Sequence, residues 1–226
     1  MAKTYSIAID GPAGAGKSTM AKRLAKELGY KYVDTGAIYR TVAYFLDLWG
    51  VNPKDIDGVS RYIDELTIGI EYDEDGLQHM IMNGMDVTAD IRTQDISQKA
   101  SLVSAHAIVR EMLLDMQRDV AKEYNVIMDG RDIGTVVLPK ANVKFFLTAS
   151  AEVRAKRRTE ELQAKGQKAD YNKILKEIQQ RDYQDTHREI APLKLARDSI
   201  KLDTSDMTIE EVVAEMKRIV GEKIPV

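Results

Sequence analysis

The chain has 226 residues, is 44% apolar, and carries 33 basic against 36 acidic side chains for a formal charge of −3. That length suffices for one buried core with insertions, and the absence of basic excess argues against a bulk nucleic-acid binder, which must neutralise phosphates. With no cysteine, disulfides, thiolate zinc sites and thiol nucleophiles are excluded together. No run approaches the roughly 18 consecutive apolar residues of a membrane span. Met1-Ala2-Lys3-Thr4 leads straight into a strand, with no room for a signal peptide. These traits describe a soluble, cytoplasmic protein without a membrane partner.

The first predicted element is the apolar strand Tyr5–Asp10. It runs into Gly11-Pro12-Ala13-Gly14-Ala15-Gly16-Lys17-Ser18, which fits the P-loop pattern G-x-x-x-x-G-K-[ST]. A helix over Lys17–Leu28 follows, with Met20, Leu24 and Leu28 on one face. Glycines let the backbone wrap phosphates with its N–H groups, and the helix N-terminus adds partial positive charge. Residues Gly11 to Thr19 are therefore the candidate triphosphate cradle, with Lys17 reaching the terminal phosphates and the Ser18 hydroxyl offered to a magnesium ion.

Strand Lys31–Asp34 ends in Asp34-Thr35-Gly36-Ala37-Ile38-Tyr39-Arg40 and opens a helix over Ile38–Trp49. Asp34 or Thr35 suits a cap; Arg40, one turn on, either grips an anion or faces solvent. Thr67–Tyr72, Leu77–Met82 and Met85–Val87 predict three antiparallel strands joined at Asp75-Gly76 and Asn83-Gly84, both strong hairpin signals. They break the alternation of strands and helices, so residues 57–88 read as part of a small separate subdomain, either a cover over a substrate or a decoration.

A long helix is expected over Asp95–Tyr124 and a buried strand over Asn125–Asp129. The strand leads into Asp129-Gly130-Arg131-Asp132-Ile133-Gly134-Thr135. Charges concentrated at a strand end of a doubly wound sheet point to a ligand crevice: Asp129 suits a magnesium ion, directly or through its waters, and Arg131 a phosphate. A turn stabilised by its own ion pair is the alternative. Beyond strand Val143–Leu147, helix Ala151–Lys165 carries Arg154, Lys156, Arg157 and Arg158, with Arg154 and Arg158 on one face. This is either a solvated face or a set of cations that closes on a migrating phosphoryl group. Leu162–Tyr171 reads as a short mobile lid. Helix Asn172–Ile190 places Arg181, Asp185 and Arg188 on one face, as a phosphate-directed cluster or a surface ladder; none of the three histidines has an evident role. Strand Ser199–Asp203 and helix Ile209–Gly221, opened by a capping box at Thr208, close the chain. The alternation defines an α/β fold, with a parallel sheet covered by helices.

The P-loop, the Asp34–Arg40 run, the Asp129–Thr135 run and the Arg181–Arg188 run occur in the same order in bacterial cytidylate kinases, and the chain resembles that family along nearly its whole length. Ala191-Pro192-Leu193 and the closing strand and helix share the likeness; Thr35 stands where the family often has Ser. The resemblance implies a three-layer P-loop fold with a five-stranded parallel core formed by residues 1–34, 89–153 and 190–226. It further implies a monophosphate-binding region over 35–88 with a three-stranded insert at 67–87, and a lid over 154–171. The implied reaction moves the γ-phosphoryl group of ATP to CMP or dCMP with Mg2+. Arg40, Arg131 and Arg188 would clasp the acceptor phosphate, with Thr35 beside them. Ser101, Arg110 and Asp132 would read the cytosine, Asp185 and Arg181 the sugar. Lys17, Arg154 and Arg158 would meet the transition state alongside Arg131. A monomer is expected. A kinase for UMP or AMP is the neighbouring alternative; a guanine-reading switch would need an Asn-Lys-x-Asp segment, and none occurs.

Overall fold

The computed structural model describes residues 4–224; residues 1–3 and 225–226, the outer ends of the expected core segments, lie outside that range. Five parallel strands form the central sheet: β1 (Ser6–Asp10), β2 (Lys31–Asp34), β6 (Val126–Gly130), β7 (Val143–Thr148) and β8 (Ile200–Asp203), in the order β2-β6-β1-β7-β8. Side chains alternate in direction along each strand, so the two covered faces of the sheet receive different residues. Ile7 and Ile9 of β1, Ile127 of β6 and Phe145 of β7 pack with α1 (Lys17–Leu28) and α8 (Ile209–Lys223). Ala8, Val126 and Met128 point the other way, toward α2 (Thr35–Leu48), α4 (Gln94–Val103) and α5 (Ala107–Glu123).

The helix ends follow their caps. Asp34 accepts from Ala37 N, so α2 begins at Thr35, three residues earlier than its apolar periodicity predicts. Thr208 and Glu211 form both bonds of the expected capping box. The helix predicted over Asp95–Tyr124 is two helices, α4 and α5, broken at Ser104-Ala105-His106, where His106 Nε2 bonds to the Pro53 carbonyl at 2.8 Å. A short helix not anticipated from sequence, α3 (Ile56–Tyr62), precedes the small sheet and buries Val59.

That sheet consists of β3 (Ile68–Tyr72), β4 (Gln78–Met82) and β5 (Met85–Asp86), in antiparallel order. Asn83 and Gly84 both have positive φ, as a two-residue hairpin turn demands, and Met82 pairs with Met85 across it. Met80 and Met82 bury themselves in the same apolar cluster as α2 and β6. Polar ties also reach the core: Gln78 Oε1 accepts from Asp34 N (2.7 Å), and Tyr72 donates its hydroxyl to the Tyr32 carbonyl (3.1 Å). Helices α6 (Ala151–Ala164) and α7 (Tyr171–His187) pack against each other beside the P-loop. No described helix is long and apolar enough to cross a membrane.

Candidate active site

The C-terminal ends of β1, β2 and β6 converge on one cavity. β1 ends at Asp10, and the chain turns at Gly11 with φ of 148°; a Cβ there would lie 2.0 Å from the Leu147 carbonyl oxygen, so glycine alone fits. The loop delivers Lys17 to the first turn of α1, where the side chain is 6% exposed and Nζ donates to the Pro12 carbonyl at 2.8 Å. Burial, seconded by the positive Arg131, lowers the Lys17 ammonium to about 7 against the pull of Asp129 and Asp185. A buried cation in this setting gains from an arriving anion.

Asp129 is the acidic partner of the loop. Its Oδ2 accepts from Ser18 Oγ at 2.9 Å and its Oδ1 from the Tyr32 hydroxyl at 2.7 Å, while Thr35 Oγ1 donates to its carbonyl at 2.7 Å. Burial and the nearby Asp34 raise the Asp129 carboxyl above the usual range. A hydroxyl and a carboxylate side by side form an oxygen-only donor pair suited to a hard divalent cation. No group of three acidic or imidazole side chains able to hold an ion exists among the described residues. An ion here would complete its shell with phosphate oxygens and water, the habit of Mg2+ rather than Ca2+.

Across the cavity stands a network of alternating charge. Arg131 donates from Nε to Asp185 Oδ2 at 2.7 Å, and Asp132 accepts from Arg110 Nη2 through Oδ2 and from Arg188 Nη2 through Oδ1, the latter at 3.1 Å. Burial raises the Asp132 carboxyl, with Arg110 and Arg188 opposing; for Asp185, burial is outweighed chiefly by Arg131, and its carboxyl is held below the ordinary value. Arg110 also lies over the Tyr39 ring, 5.6 Å from its centroid. Two further guanidinium groups keep donors unused: the Nε atoms of Arg40 and Arg181 are buried without a hydrogen-bond partner. Burial and the charge of Arg131 bring Arg181 down to about 10.

Every residue expected on the acceptor side lines this cavity of about 250 Å3, and Ala13, Gly14, Lys17, Ser18 and Asp129 border it from the loop side. A wider cleft of about 660 Å3 between α4 and the α6–α7 pair shares Ser101 and Arg181 with it and is lined by Arg158. Two placements differ from the sequence reading. Arg188 lies just beyond α7 in extended backbone, because the helix ends at His187, so it reaches Asp132 from a loop rather than from the face shared by Arg181 and Asp185. Arg154 and Arg158 are placed differently: Arg158 is 43% exposed and paired with Glu161, whereas Arg154 is buried and lines neither cavity. Its guanidinium is held by Asp182 at 3.0 and 2.5 Å, by the Ala149 carbonyl and by the Ala13 carbonyl of the P-loop at 2.9 Å each.

Sequence reasoning passed over Asp10, Tyr32 and Asp182. A charged residue closing an apolar strand directly before Gly11 is a legible signal for Asp10, and Asp182 lies inside the Arg181–Arg188 run. Nothing in the sequence marks Tyr32, whose role depends on β2 lying beside β6.

The cytidylate kinase family model matches residues 7–222. A cytidylate kinase of Lactobacillus johnsonii is 50% identical over 217 residues, and one of Clostridium tetani is 45% identical over 218; each alignment covers 96% of this chain and 94% of the relative. Among solved structures, an uncharacterized protein from Eubacterium ventriosum superposes with a TM-score of 0.50 at 14% identity, over 97% of this chain and 99% of that one, a likeness of fold alone. Whole-length identity at this level, together with the P-loop and the charged wall facing it, shows that the chain belongs to the cytidylate kinase family.

Proposed function

We propose that the chain transfers the γ-phosphoryl group of ATP to CMP or dCMP, yielding CDP or dCDP and ADP. One observation carries this reading: the P-loop residues Lys17 and Ser18 and the acceptor-side residues Arg131, Asp132 and Arg188 line the same cavity. Two phosphates bound to those walls face each other across it, with Lys17 and Arg131 placed to offset their mutual repulsion.

The chemistry needs little beyond positioning. The acceptor phosphate has a second pKa of about 6 and is already largely anionic at neutral pH, so no dedicated base is required. Its oxygen attacks the γ-phosphorus in line, the bond to the β-phosphate oxygen breaks, and ADP leaves with that electron pair. Arg40, Arg131 and Arg188 hold the acceptor phosphate, in keeping with their place on the lining of the smaller cavity. Ser18 and Asp129 would hold Mg2+, directly or through water, and the ion would supply positive charge to offset that on the nucleotide's phosphate oxygens. Lys17 draws on the same oxygens. Arg158 enters from the wide cleft as the lid at 154–171 and the region at 35–88 close, excluding water. Arg154 holds the P-loop carbonyl.

Base selection rests on Asp132. A carboxylate accepts from the exocyclic N4 amine of cytosine, whereas the O4 of uracil would bring oxygen against oxygen. Asp185 and Arg181 face the sugar, and Thr35 and Ser101 complete the pocket. We also propose a cytoplasmic monomer, in keeping with a chain that lacks cysteine; size-exclusion chromatography with light scattering reads the mass. The central test measures ADP release from ATP with each nucleoside monophosphate in turn. Turnover that requires CMP or dCMP supports the assignment, equal turnover with UMP or AMP moves the acceptor, and ADP release without any acceptor overturns the kinase reading.

A further inference from the structure

The turn after β6 poses a problem of capping. Residues Ile133–Val137 form a single π-helical turn whose N-cap is Asp132, yet Asp132 makes no side-chain bond to that turn. An aspartate at an N-cap ordinarily accepts from the amides just beyond it. Here the first two amides of the turn, including the Gly134 N–H that an N-cap side chain would accept from, are taken by a residue more than a hundred positions away: Asp10 Oδ1 accepts from Ile133 N and Oδ2 from Gly134 N, each at 2.7 Å. Asp10 is 1% exposed and is the last residue of β1, one step before the P-loop. The approach is close enough to dictate its partner, since a Cβ on Gly134 would lie 3.2 Å from Asp10 Oδ2 and 3.1 Å from Lys144 Cδ.

With both amides satisfied from the neighbouring strand, the Asp132 carboxylate is released from its local duty and turns into the cavity, where Arg110 and Arg188 hold it. From this exchange we infer that Asp10 is a positioning residue for acceptor specificity: by capping the 133–137 turn in place of Asp132, it commits the Asp132 carboxylate to the acceptor base and fixes it relative to the root of the P-loop. The inference rests on the reading of Asp132 as the base-selecting group.

Asp10→Asn tests it in the full-length chain. The amide can accept from one of the two N–H groups but sets its own NH2 against the other, so one amide is left for Asp132 to capture. We expect kcat/KM for CMP and the CMP-to-UMP ratio each to fall by about tenfold or more, with KM for ATP held within about threefold. In an Asp132→Asn background the same change should bring no further loss of the ratio, because the effect runs through Asp132. A merely structural Asp10 would lower the melting temperature and leave the ratio alone. An unchanged ratio in Asp10→Asn, or full additivity in the double variant, overturns the inference. Asp10→Ser, which keeps one acceptor, is assayed beside it; if neither variant folds, Asp10 is structural and the inference fails. A wild-type chain that shows no CMP-dependent turnover instead removes the acceptor reading itself, and the inference with it.

Discussion

Removing the Asp182 carboxylate should loosen the P-loop through Arg154. The Arg154 side chain is 4% exposed and that of Asp182 26%, which sets the pair between two regimes. Breaking a fully buried ion pair costs about 3–5 kcal/mol, while an exposed pair is worth about 0–1 kcal/mol. In Asp182→Ala the guanidinium keeps the Ala149 and Ala13 carbonyls and gains water from the partly open side, so a cost of about 2 kcal/mol is expected. For a chain of this length that lowers the melting temperature by about 4–8 °C. The Ala13 carbonyl is then less firmly held, and KM for ATP should rise by roughly threefold to tenfold, while KM for CMP moves little. Differential scanning fluorimetry and steady-state kinetics with each substrate varied read both effects. A melting temperature within about 1 °C of wild type, with KM for ATP unchanged, would refute the reasoning and return Arg154 to the migrating phosphoryl group.

Arg131→Ala should lower kcat/KM for CMP by on the order of 10²-fold or more while sparing KM for ATP, as initial rates with each substrate varied will show. Tyr32→Phe leaves Asp129 Oδ1 without its 2.7 Å donor; urea denaturation should register a loss of about 1.5–3 kcal/mol, and a titration with Mg2+ a higher concentration for half-maximal turnover. For Asp10, burial outweighs its two backbone bonds and raises the carboxyl from 3.8 to about 6. Because the folded form keeps a proton that the unfolded form has released, this residue's contribution to stability falls as pH rises from about 4 to 6, by up to about 3 kcal/mol. Urea midpoints across that window should slope less in Asp10→Asn than in wild type. Chelation with EDTA should abolish turnover, and excess Mg2+ should restore it.

The elements that sequence reasoning recovers are those specified by neighbours a few residues apart. The capping box at Thr208 and the Asn83-Gly84 hairpin depend on contacts within a few residues, and the loop from Gly11 to Ser18 is legible as a contiguous pattern although its fit against Leu147 is long-range. The break between α4 and α5 escapes notice because the apolar periodicity runs through it, from Ala100 and Val103 to Val109 and Leu113, while His106 finds its partner 53 residues back. Helix α3 contains Gly58 and buries a single side chain, too weak a pattern to read. At the site, the charged residues on strand ends stand out in sequence because burying them unpartnered would be costly. Their pairing does not: Arg131 meets Asp185 across 54 residues, Tyr32 meets Asp129 across 97, and Arg154 meets Asp182 only once α6 and α7 have packed.

The strand order also sets a timetable for biosynthesis. β1 lies between β6 and β7, with Ser6 opposite Val126 and Ile7 opposite Val143. At about 5–20 residues per second of translation, the strand that carries the P-loop waits roughly ten seconds for its partners to emerge from the ribosome. During that interval Ile7 and Ile9 have no sheet to join, and both edges of β1 are open to pairing with other nascent chains. A ribosome stalled before residue 126 would therefore hold a P-loop that cannot yet form, and chains released there should aggregate or recruit chaperones. The donor site, first in the sequence, is among the last parts of the enzyme to exist.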